Sequence, residues 1–345
     1  ILAANLSDVS NAKNKNLSVA MIDRLSLDEE RLSSIIDSLQ IISSLPDPVG
    51  TILNTYSRPN GLDIKKITTP IGVIGVIFES RPNVLIDAGA LCLKAGNASI
   101  LRGGTESVQT ARSLYNCFKQ ALSYVGLPKN SIQLIPTQDR LAVRKLLSMS
   151  EFIDVIVPRG GKSLVALVQK EARVPVFAHL EGIVHIYVHE DSDPEVTNKV
   201  IMNSKTRRPG ICGAVECLLI DKKFIEKKGF SFITDLINAG VDVRVDKYLK
   251  SIPKTSLATE DDWGKEFLDM TLAVKVVDCF DDAIMHIKKY GSGHTDCILT
   301  ENDSIANKFF SSLDSAILMR NASTQFADGG EFGFGAEIGI STGKL

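Results

Sequence analysis

The chain has 345 residues, of which 44% are hydrophobic and 23% are charged, and its mean hydropathy is +0.08. These values exclude a disordered protein and predict a soluble globular one, long enough for about two domains. The formal net charge is only −2. The chain therefore lacks the basic surplus of nucleic-acid-binding proteins, and we expect a small-molecule substrate and no nucleic acid partner.

The cysteines and the lengths of the apolar runs indicate in which cellular compartment the protein is expected. Six cysteines are scattered without disulfide-like spacing, which favours a reducing compartment, and we expect the cytoplasm. No apolar run approaches the roughly 18 residues of a membrane span. The first residues lack a basic stretch followed by an apolar one, so we expect neither a secretory leader nor a membrane partner.

The first part of the chain is predicted to be helical and then to form a hairpin. Apolar residues recur at helical spacing over 17–45 and indicate two helices. The segment 49–70 mixes β-branched residues with Pro59-Asn60-Gly61, a turn signal between two extended runs. We interpret 49–70 as a protruding β-hairpin.

From residue 71 onward, apolar strands alternate with helices. This alternation predicts a parallel sheet that is covered on both faces. Ligands of such sheets bind at the carboxyl ends of the strands. The predicted strands are 72–78, 98–101, 132–135, 152–157, 174–177 and 182–188, and the predicted helices are 83–95, 105–125, 138–149 and 162–172.

The alternation starts again after the polar loop Glu190–Pro194 and predicts a second α/β domain. We therefore divide the chain into a first domain of 1–48 and 71–188, the hairpin 49–70, and a second domain of 189–345. In the second domain the predicted strands are 214–220, 241–245, 271–277, 296–300 and 315–319, with helices at 193–204 and 222–238.

Cys212 is the candidate nucleophile. It follows Pro209-Gly210, which ends a helical pattern, and precedes an apolar strand, so its thiol lies on a loop. Lys205, Arg207 and Arg208 stand just upstream, and positive charge favours the thiolate that attacks carbonyl carbons. The alternative interpretation is that Cys212 is buried and serves only as a small hydrophobic residue. This interpretation fits the other five cysteines better.

Two Gly-rich turns follow predicted strands, Arg102-Gly103-Gly104 and Pro158-Arg159-Gly160-Gly161. The second leads into a helix, whose first N–H groups and dipole can hold a phosphate. A turn that needs glycine for packing alone is the alternative. Ile156 stands where a P-loop would place its first glycine, which disfavours a nucleoside triphosphatase.

His179, His185 and His189 have a spacing typical of metal ligands. They lie in or beside extended segments, however, where successive side chains point to opposite faces. We therefore expect no metal site.

Asn83 follows a core strand and begins a predicted helix. An amide side chain in this position can donate an N–H to a developing oxyanion. A helix cap is the structural alternative.

Five segments closely resemble one family. They are Phe78–Val84, Gly96–Gly104, Ile156–Gly161, Lys205–Cys212 and Asn321–Glu337. They resemble the glutamate-5-semialdehyde dehydrogenases, also called γ-glutamyl phosphate reductases, of the aldehyde dehydrogenase superfamily, and the resemblance runs from about Leu17 to Leu345. It implies an aldehyde-dehydrogenase-like α/β fold with two Rossmann-like parallel-sheet domains and a protruding β-hairpin.

The resemblance implies an NADPH-dependent reduction of L-glutamyl 5-phosphate to L-glutamate 5-semialdehyde with release of phosphate, the second step of proline biosynthesis. Cys212 takes the position of the nucleophile and forms a thioester, and Asn83 with the backbone N–H of Cys212 matches the oxyanion hole. His179 stands where hydrolytic relatives place a general-base glutamate. A reductase of acyl phosphates is expected to lack that base, because it must not hydrolyse its thioester.

The resemblance also implies ligand-binding residues. Those matched to NADPH or NADP⁺ are Arg102, Gly103, Gly104, Pro158, Arg159, Gly160, Gly161 and Glu266, the last at the nicotinamide ribose. Thr105 stands where NAD-preferring relatives often carry an acid that binds the 2′-hydroxyl, which favours NADP. Those matched to the substrate are Lys205, Arg208, Ser323 and Phe326.

Partners follow from the same resemblance. It makes 1–48 with 71–188 the NADP(H)-binding domain, 189–345 the catalytic domain, and 49–70 an oligomerisation hairpin of a homo-oligomer, either a dimer or a dimer of dimers. A separate glutamate 5-kinase is a further candidate partner. Two alternatives stay open: another acylating aldehyde dehydrogenase that uses CoA or phosphate, and a catalytically silent homologue.

Overall fold

The structure is a computed structural model that describes residues 1–334 and 336–343, apart from the side chains of Val19 and Ala20. The chain divides into two compact units. Unit 1 comprises 1–178 and 335–339, and unit 2 comprises 179–334 and 340–345. Of the motif Asn321–Glu337, Gly335 lies outside the described residues.

Helices make up much of both units. The twelve α-helices of the described chain are α1 (Leu2–Asn14), α2 (Val19–Leu25), α3 (Glu29–Ser44), α4 (Asn83–Lys94), α5 (Val108–Tyr124), α6 (Arg140–Ser148), α7 (Lys162–Glu171), α8 (Pro194–Thr206), α9 (Lys222–Lys228), α10 (Ser231–Asn238), α11 (Phe280–Tyr290) and α12 (Asp303–Ser312). None of them is both long and apolar enough to cross a lipid bilayer.

Two helical regions differ from the predictions. Helix α1 has no predicted counterpart, because the residues that it buries include Asn5 and Asp8, which interrupt the apolar period. The helix predicted over 222–238 is instead divided into α9 and α10. The division falls at Gly229, whose φ of 79° lies in the left-handed region that ends helices.

The strands form one hairpin and two parallel sheets. In the described residues they are β1 (Ile52–Ser57), β2 (Asp63–Ile67), β3 (Val73–Phe78), β4 (Ala98–Arg102), β5 (Ile132–Leu134), β6 (Val155–Arg159), β7 (Val184–Val188), β8 (Val215–Asp221), β9 (Asp242–Val245), β10 (Ser256–Leu257), β11 (Thr271–Val277), β12 (Thr295–Leu299) and β13 (Ile317–Arg320). The strand predicted at 174–177 contributes only an isolated bridge, between Val176 and Ile156.

The hairpin is the antiparallel pair β1–β2, which confirms the prediction for 49–70. Every residue of β1 is exposed. The exposed side chains include large apolar ones, namely Ile52, Leu53 and Tyr56.

Unit 1 contains the four-stranded parallel sheet, in the order β5-β4-β3-β6. Its central strand β3 is almost wholly buried because helices cover it, and Phe78 and Leu85 belong to the same core cluster. The Gly-rich turns follow β4 and β6, so they lie at the carboxyl ends of two strands that flank β3. This placement is the one predicted.

Unit 2 contains a seven-stranded sheet in the order β10-β9-β11-β8-β7-β12-β13, and the neighbouring strands pair in parallel. Buried apolar side chains fill the core on both of its faces, with Leu218 in one cluster and Leu219 in another. Strand β8 is buried along its whole length. Such a strand reads as a continuous apolar run, which is why it was predictable.

The boundary between the units falls at residue 179, ahead of the predicted 189. Strand β7, which was predicted as the last strand of the first domain, pairs with β8 and β12 in the sheet of unit 2. Apolar strands of both sheets look alike in sequence, and the pairing partner decides to which sheet a strand belongs.

Candidate active site

Cys212 lies on the loop between α8 and β8, as predicted, and its side chain is half-buried. Gln325 holds this loop in place. Its Nε2 donates hydrogen bonds to the carbonyl oxygens of Ser204, at 3.0 Å, and Arg208, at 3.1 Å. Because Gln325 is itself buried, the segment before the thiol is tied to the interior of unit 2.

Three further chain segments come together at this edge of the sheet. Strands β11, β8, β7 and β12 are neighbours and run in parallel, so their amino ends share one edge. Glu266, Cys212, Gly182 and His294 each shortly precede one of these strands. The strand order thus collects residues that are far apart in the sequence, and in unit 2 the candidate nucleophile lies at the amino edge of the sheet.

Gly182 packs directly against the backbone of Cys212. A β-carbon built on Gly182 would lie 2.8 Å from Cα of Cys212 and closer still to its carbonyl oxygen. The amide nitrogen of Gly182 donates a hydrogen bond of 2.8 Å to Oε1 of Glu266. A glycine is needed at 182 because any side chain there would displace the loop that carries the thiol.

Two histidines lie beside the thiol. One ligand atom of each of His179, Cys212 and His294 lies within 4.8 Å of the others. The two imidazole rings meet edge to face, with their centroids 4.6 Å apart. His294 is fully buried, and this burial, with a smaller contribution from His179, lowers its pKa to about 3, so that the ring is neutral.

The three histidines that the sequence grouped by spacing are separated in the structure. His185 lies with Cys217 and His286 in the core of unit 2, and His189 bonds Asp191 at 2.8 Å. Only His179 is near Cys212. Alternation along an extended segment disperses side chains in this way, as expected.

The structure places Lys205 in a buried pair with Glu216. Its side chain is 0% exposed and donates hydrogen bonds to Oε2 of Glu216, at 2.6 Å, and to the carbonyl oxygen of Val215, at 3.0 Å. Burial lowers the pKa of Lys205 and raises that of Glu216 to about 7. Lys205 therefore forms a buried structural pair and is not accessible to a substrate anion. Periodicity alone could not reveal which face of α8 is buried.

The other residues matched to the substrate fall into two groups. Ser323 is buried; its hydroxyl accepts a hydrogen bond from Ser204 Oγ at 3.2 Å and is inaccessible. Arg208 and Phe326 are exposed. The guanidinium of Arg207 lies 5.7 Å from the centroid of the Phe326 ring. Arg208 and Phe326 are thus the two of the four matched residues that a ligand could reach.

Asn83 is the first residue of α4, in unit 1, and is half-buried. Pro82 precedes it at the N-cap, and no side chain caps this helix. Instead, Nδ2 of Asn83 donates a hydrogen bond of 3.1 Å to Oδ2 of Asp87, one turn further along. An amide nitrogen carries two hydrogens, so this bond leaves one N–H for another acceptor.

Arg102 ends β4 and is almost wholly buried. Its Nη2 donates a hydrogen bond of 3.1 Å to the carbonyl oxygen of Gln138, whereas its Nε has no partner in the described part of the chain. Nearby, Oε1 of Glu106 accepts hydrogen bonds from the amide and the hydroxyl of Ser80, at 2.5 and 3.0 Å. Burial lowers the pKa of Arg102. The Arg102 guanidinium thus keeps a donor for an anion such as a phosphate, but Nε is itself buried, so an anion reaches it only when the neighbouring side chains shift.

The N-terminus of α7 already holds a carboxylate. Oε2 of Glu79 accepts a hydrogen bond of 3.0 Å from the amide of Gly161, the N-cap of this helix. A β-carbon on Gly160 would lie 2.5 Å from the same oxygen, so glycine is required for this approach. The carboxylate stands in for the kind of anion that a helix N-terminus binds. The turn therefore fits the phosphates of a dinucleotide, provided that Glu79 moves aside.

Several residues of this arrangement had no role in the predictions. Gly182, Glu216 and His294 lie outside the five segments that resemble the family, whereas Glu79 and Gln325 lie within two of them but were given no role of their own. Gly182 lies among the residues that lead into a buried strand, and a glycine there is a signal of close backbone approach. For Gln325 the signal was its place in the segment Asn321–Glu337, whereas for His294 the sequence carries none, because the residues beside it are remote along the chain.

Known proteins resemble this chain over most or all of its length. A model of the aldehyde dehydrogenase family matches residues 26–259. The γ-glutamyl phosphate reductase of Zymomonas mobilis is 55% identical to the chain over 346 residues, covering 100% of the chain and 81% of that protein. The corresponding protein of Bartonella tribocorum is 53% identical over 347 residues, with 100% and 85% covered.

Solved structures are similar as well. The crystal structure of γ-glutamyl phosphate reductase from Thermotoga maritima has a TM-score of 0.95 and 41% identity, and the match covers 100% of this chain and 83% of that one. An engineered glycolyl-CoA reductase with bound NADP⁺ has a TM-score of 0.65 at 16% identity, over 99% and 90% of the two chains, and shares the fold. These matches confirm the predicted α/β fold class and the resemblance carried by the five sequence segments. The chain belongs to the aldehyde dehydrogenase family.

Proposed function

We propose that this chain is a γ-glutamyl phosphate reductase, an NADPH-dependent oxidoreductase that converts L-glutamyl 5-phosphate to L-glutamate 5-semialdehyde and phosphate in proline biosynthesis. The observation that carries the proposal is the setting of Cys212. Its thiol is half-buried and lies on a loop that hydrogen bonds from Gln325 hold in place. Relatives that are 55% and 53% identical over the whole chain bear this enzyme's name.

The proposed chemistry centres on the Cys212 thiolate. Its sulfur attacks the acyl carbon of the substrate, and the C–O bond to phosphate breaks with its electron pair leaving on the phosphate, which yields a thioester. NADPH, when bound, supplies the hydride that takes the thioester to the oxidation level of the aldehyde. The C–S bond then breaks, its electron pair returns to Cys212, and the aldehyde leaves.

We assign the stabilisation of the substrate oxygen to two N–H donors, the backbone amide of Cys212 and the side chain of Asn83. Donors of this kind act on the negative charge that develops as the acyl carbon becomes tetrahedral. The second N–H of Asn83 supports this assignment, because the hydrogen bond to Asp87 uses only one.

Of the four residues that the family resemblance matches to the substrate, we assign substrate binding to the two exposed ones. Arg208 is accessible to the phosphate or carboxylate of the substrate, and Phe326 offers an apolar surface. Lys205 and Ser323 are left out, because both are buried in structural hydrogen bonds. The cation that governs substrate affinity is therefore Arg208 in this proposal.

Aldehyde dehydrogenases use a nicotinamide cofactor, and we propose NADP(H) for this one. The guanidinium of Arg102, whose buried Nε has no hydrogen-bond partner among the residues that the structure describes, supports a contact with the 2′-phosphate. Glu106 does not oppose it, because Ser80 already engages its carboxylate. The residues proposed to hold the cofactor are Arg102, Gly103, Gly104, Pro158, Arg159, Gly160, Gly161 and Glu266.

We propose that unit 1 is the NADP(H)-binding unit and that unit 2 is the catalytic one. The exposed apolar side chains of β1, Ile52, Leu53 and Tyr56, support the hairpin as the contact of a homo-oligomer. A separate glutamate 5-kinase is retained as a partner that would deliver an unstable acyl phosphate. The cytoplasm remains the proposed compartment, since none of the six cysteines is in a disulfide.

The reverse reaction is the direct test, since glutamate semialdehyde is easier to handle than the acyl phosphate. Reduction of NADP⁺ is measured with the semialdehyde, with and without phosphate, in wild type, Cys212→Ser and the exposed-thiol control Cys117→Ser. Phosphate-dependent turnover that only Cys212→Ser abolishes is the expected result. Turnover that depends on CoA instead would identify another acylating dehydrogenase, and no turnover in any form would favour a silent homologue.

A further inference from the structure

The group of His179, Cys212 and His294 has a composition that the proposed reduction does not explain. Their ligand atoms lie within 4.8 Å of one another although the residues come from three separate segments. Two imidazole nitrogens and one thiolate sulfur are the ligand set that zinc and other thiophilic divalent ions prefer. Magnesium and calcium prefer oxygen ligands and are disfavoured.

The hydrogen bonds described for the two histidines involve the Nδ1 atom of each ring, so Nε2 is the candidate ligand atom in both. Nδ1 of His179 lies 2.8 Å from the carbonyl oxygen of Ile340, and since a carbonyl only accepts, Nδ1 carries the hydrogen. In the neutral ring the lone pair is then on Nε2. A histidine that donates its other N–H to a backbone carbonyl is the usual form of a metal ligand.

His294 gives a second, independent indication. Its Nδ1 lies 2.9 Å from the hydroxyl of Thr295, whereas its buried Nε2 has no hydrogen-bond partner among the described residues. Buried polar nitrogens are normally satisfied by protein, water or a ligand. The side chain is 0% exposed, so bulk solvent does not reach this nitrogen.

We propose that His179, Cys212 and His294 form a binding site for one thiophilic divalent cation of the Zn²⁺ type. Tetrahedral coordination at zinc bond lengths places ligand atoms about 3.3 to 3.8 Å apart. Since the three atoms lie within 4.8 Å of one another, they need to approach by at most about 1.5 Å, which rotation of the half-buried His179 and Cys212 side chains supplies. Three protein ligands leave a fourth position for water.

The occupied site and the reactive thiol exclude each other. Donation of a sulfur lone pair to the cation lowers the electron density on the sulfur and crowds it, so Cys212 reacts much more slowly with an electrophile while the cation is bound. The cation therefore acts as a reversible block of the nucleophile. Inhibition of a reductase by this cation rests on the proposed function. Binding of the cation does not depend on that function.

The second group of two histidines and a cysteine, His185, Cys217 and His286, differs in its hydrogen bonding. Nζ of Lys275 lies 3.3 Å from Nδ1 of His286, and an ammonium can only donate. Nδ1 is thus an acceptor, and in the neutral ring the hydrogen is on Nε2, which lies 3.6 Å from Cys217 Sγ. A protonated nitrogen does not bind a metal, so this buried group is interpreted as a hydrogen-bonded network.

The test uses Co²⁺ as a spectroscopic probe and Zn²⁺ as its competitor, on the full chain after treatment with a chelator. We expect one equivalent of Co²⁺ to give a thiolate-to-cobalt charge-transfer band that Zn²⁺ removes. Cys212→Ser should lose the band, and His179→Gln and His294→Gln should weaken binding by about tenfold or more. Cys117→Ser should bind as wild type does, because this exposed thiol belongs to unit 1.

A band that survives in Cys212→Ser, or affinity that neither histidine substitution changes, would overturn the proposal. His294 is buried, so its substitution can reduce stability, and circular dichroism with thermal unfolding checks each variant. His179 is half-buried; its variant is therefore the decisive one. Failure of the wild-type protein to bind Co²⁺ would also overturn the proposal.

Alkylation of Cys212 provides a readout that does not depend on turnover. Iodoacetamide labelling, followed by peptide mass spectrometry, should be slowed at Cys212 by Zn²⁺ in wild type and much less in His179→Gln, with Cys117 labelled at the same rate throughout. Binding and protection without turnover would reject the reductase but keep the cation site. Normal turnover with no Zn²⁺ effect on labelling would reject the cation site alone.

Discussion

Gly182 leaves no room for a side chain against Cys212, since a β-carbon at position 182 would lie 2.8 Å from Cα of the cysteine. The two backbones are in direct contact, and the thiol loop takes its position from this contact. Gly182 also donates to Glu266 at 2.8 Å, so its own backbone is fixed. The orientation of Cys212 therefore depends on a residue that carries no functional group.

Gly182→Ala should displace the Cys212 loop and reduce kcat about 100-fold, because a shift of about 1 Å at a reacting group can cost that much. Gly264→Ala is the matched control, as its new β-carbon would make an ordinary contact of 3.5 Å with Tyr290. The measurements are kcat and the rate of Cys212 alkylation. Wild-type values for both in Gly182→Ala would show that the loop adapts without loss.

Lys205→Met should lower the free energy of unfolding by about 3 to 5 kcal/mol, since it leaves the Glu216 carboxylate buried without its partner. The double variant with Glu216→Leu should recover most of the loss, because neither charge then remains. Urea unfolding measures both. If Lys205→Met were as stable as wild type but had a raised KM for phosphate, Lys205 would be a substrate ligand after all.

The stability of the protein should fall between mildly acidic and neutral pH because of Glu216. Burial raises the pKa of Glu216 to about 7 from its ordinary 4.5. Between these values the native carboxyl keeps a proton that the unfolded chain has lost, so the free energy of unfolding decreases as the pH rises, by up to about 3 kcal/mol for this group.

This contribution is fully present below pH 4.5 and is lost as the pH rises through about 7. Urea unfolding of wild type and Glu216→Gln at several pH values isolates it, since glutamine does not titrate. The difference in unfolding free energy between the two proteins should change across this range. A constant difference would mean that Glu216 titrates normally in the folded protein.

Arg102→Ala should raise KM for NADPH by about tenfold or more while changing KM for NADH little, since a charged hydrogen bond to the 2′-phosphate is worth about 1.5 to 3 kcal/mol. Arg112→Ala is the control, because this exposed arginine also bonds a backbone carbonyl, that of Pro136. Steady-state kinetics with both cofactors give the ratio of KM for NADPH to KM for NADH in each variant. Equal increases for NADPH and NADH would assign Arg102 a structural role instead.

Asn83→Ala should reduce kcat by about 100-fold to 1,000-fold, as expected for a lost oxyanion donor. Ser38→Ala is a matched control, since Ser38 Oγ bonds the other oxygen of Asp87, at 3.2 Å. Cys212 alkylation should be unchanged in both variants. A similar loss in Ser38→Ala would show that the effect passes through Asp87 rather than through the substrate.

Local patterns predicted much of this molecule. The hairpin, most of the buried strands, the Gly-rich turns and the placement of Cys212 on a loop all depend on features within a few residues, such as apolar runs and turn residues. Helix α1 was missed because Asn5 and Asp8 are among its buried residues. The division at Gly229 was missed because one glycine does not by itself distinguish a helix end from a tolerated interior position.

Sequence patterns alone predicted the α/β fold class and singled out Cys212 as the candidate nucleophile. The surroundings of that residue depended on strand order, because β7, β8 and β12 bring His179, Cys212 and His294 to one edge only when they are neighbours. Burial likewise made Lys205 the partner of Glu216 rather than a surface cation. Both outcomes arise from contacts between residues remote along the chain, which no local pattern records.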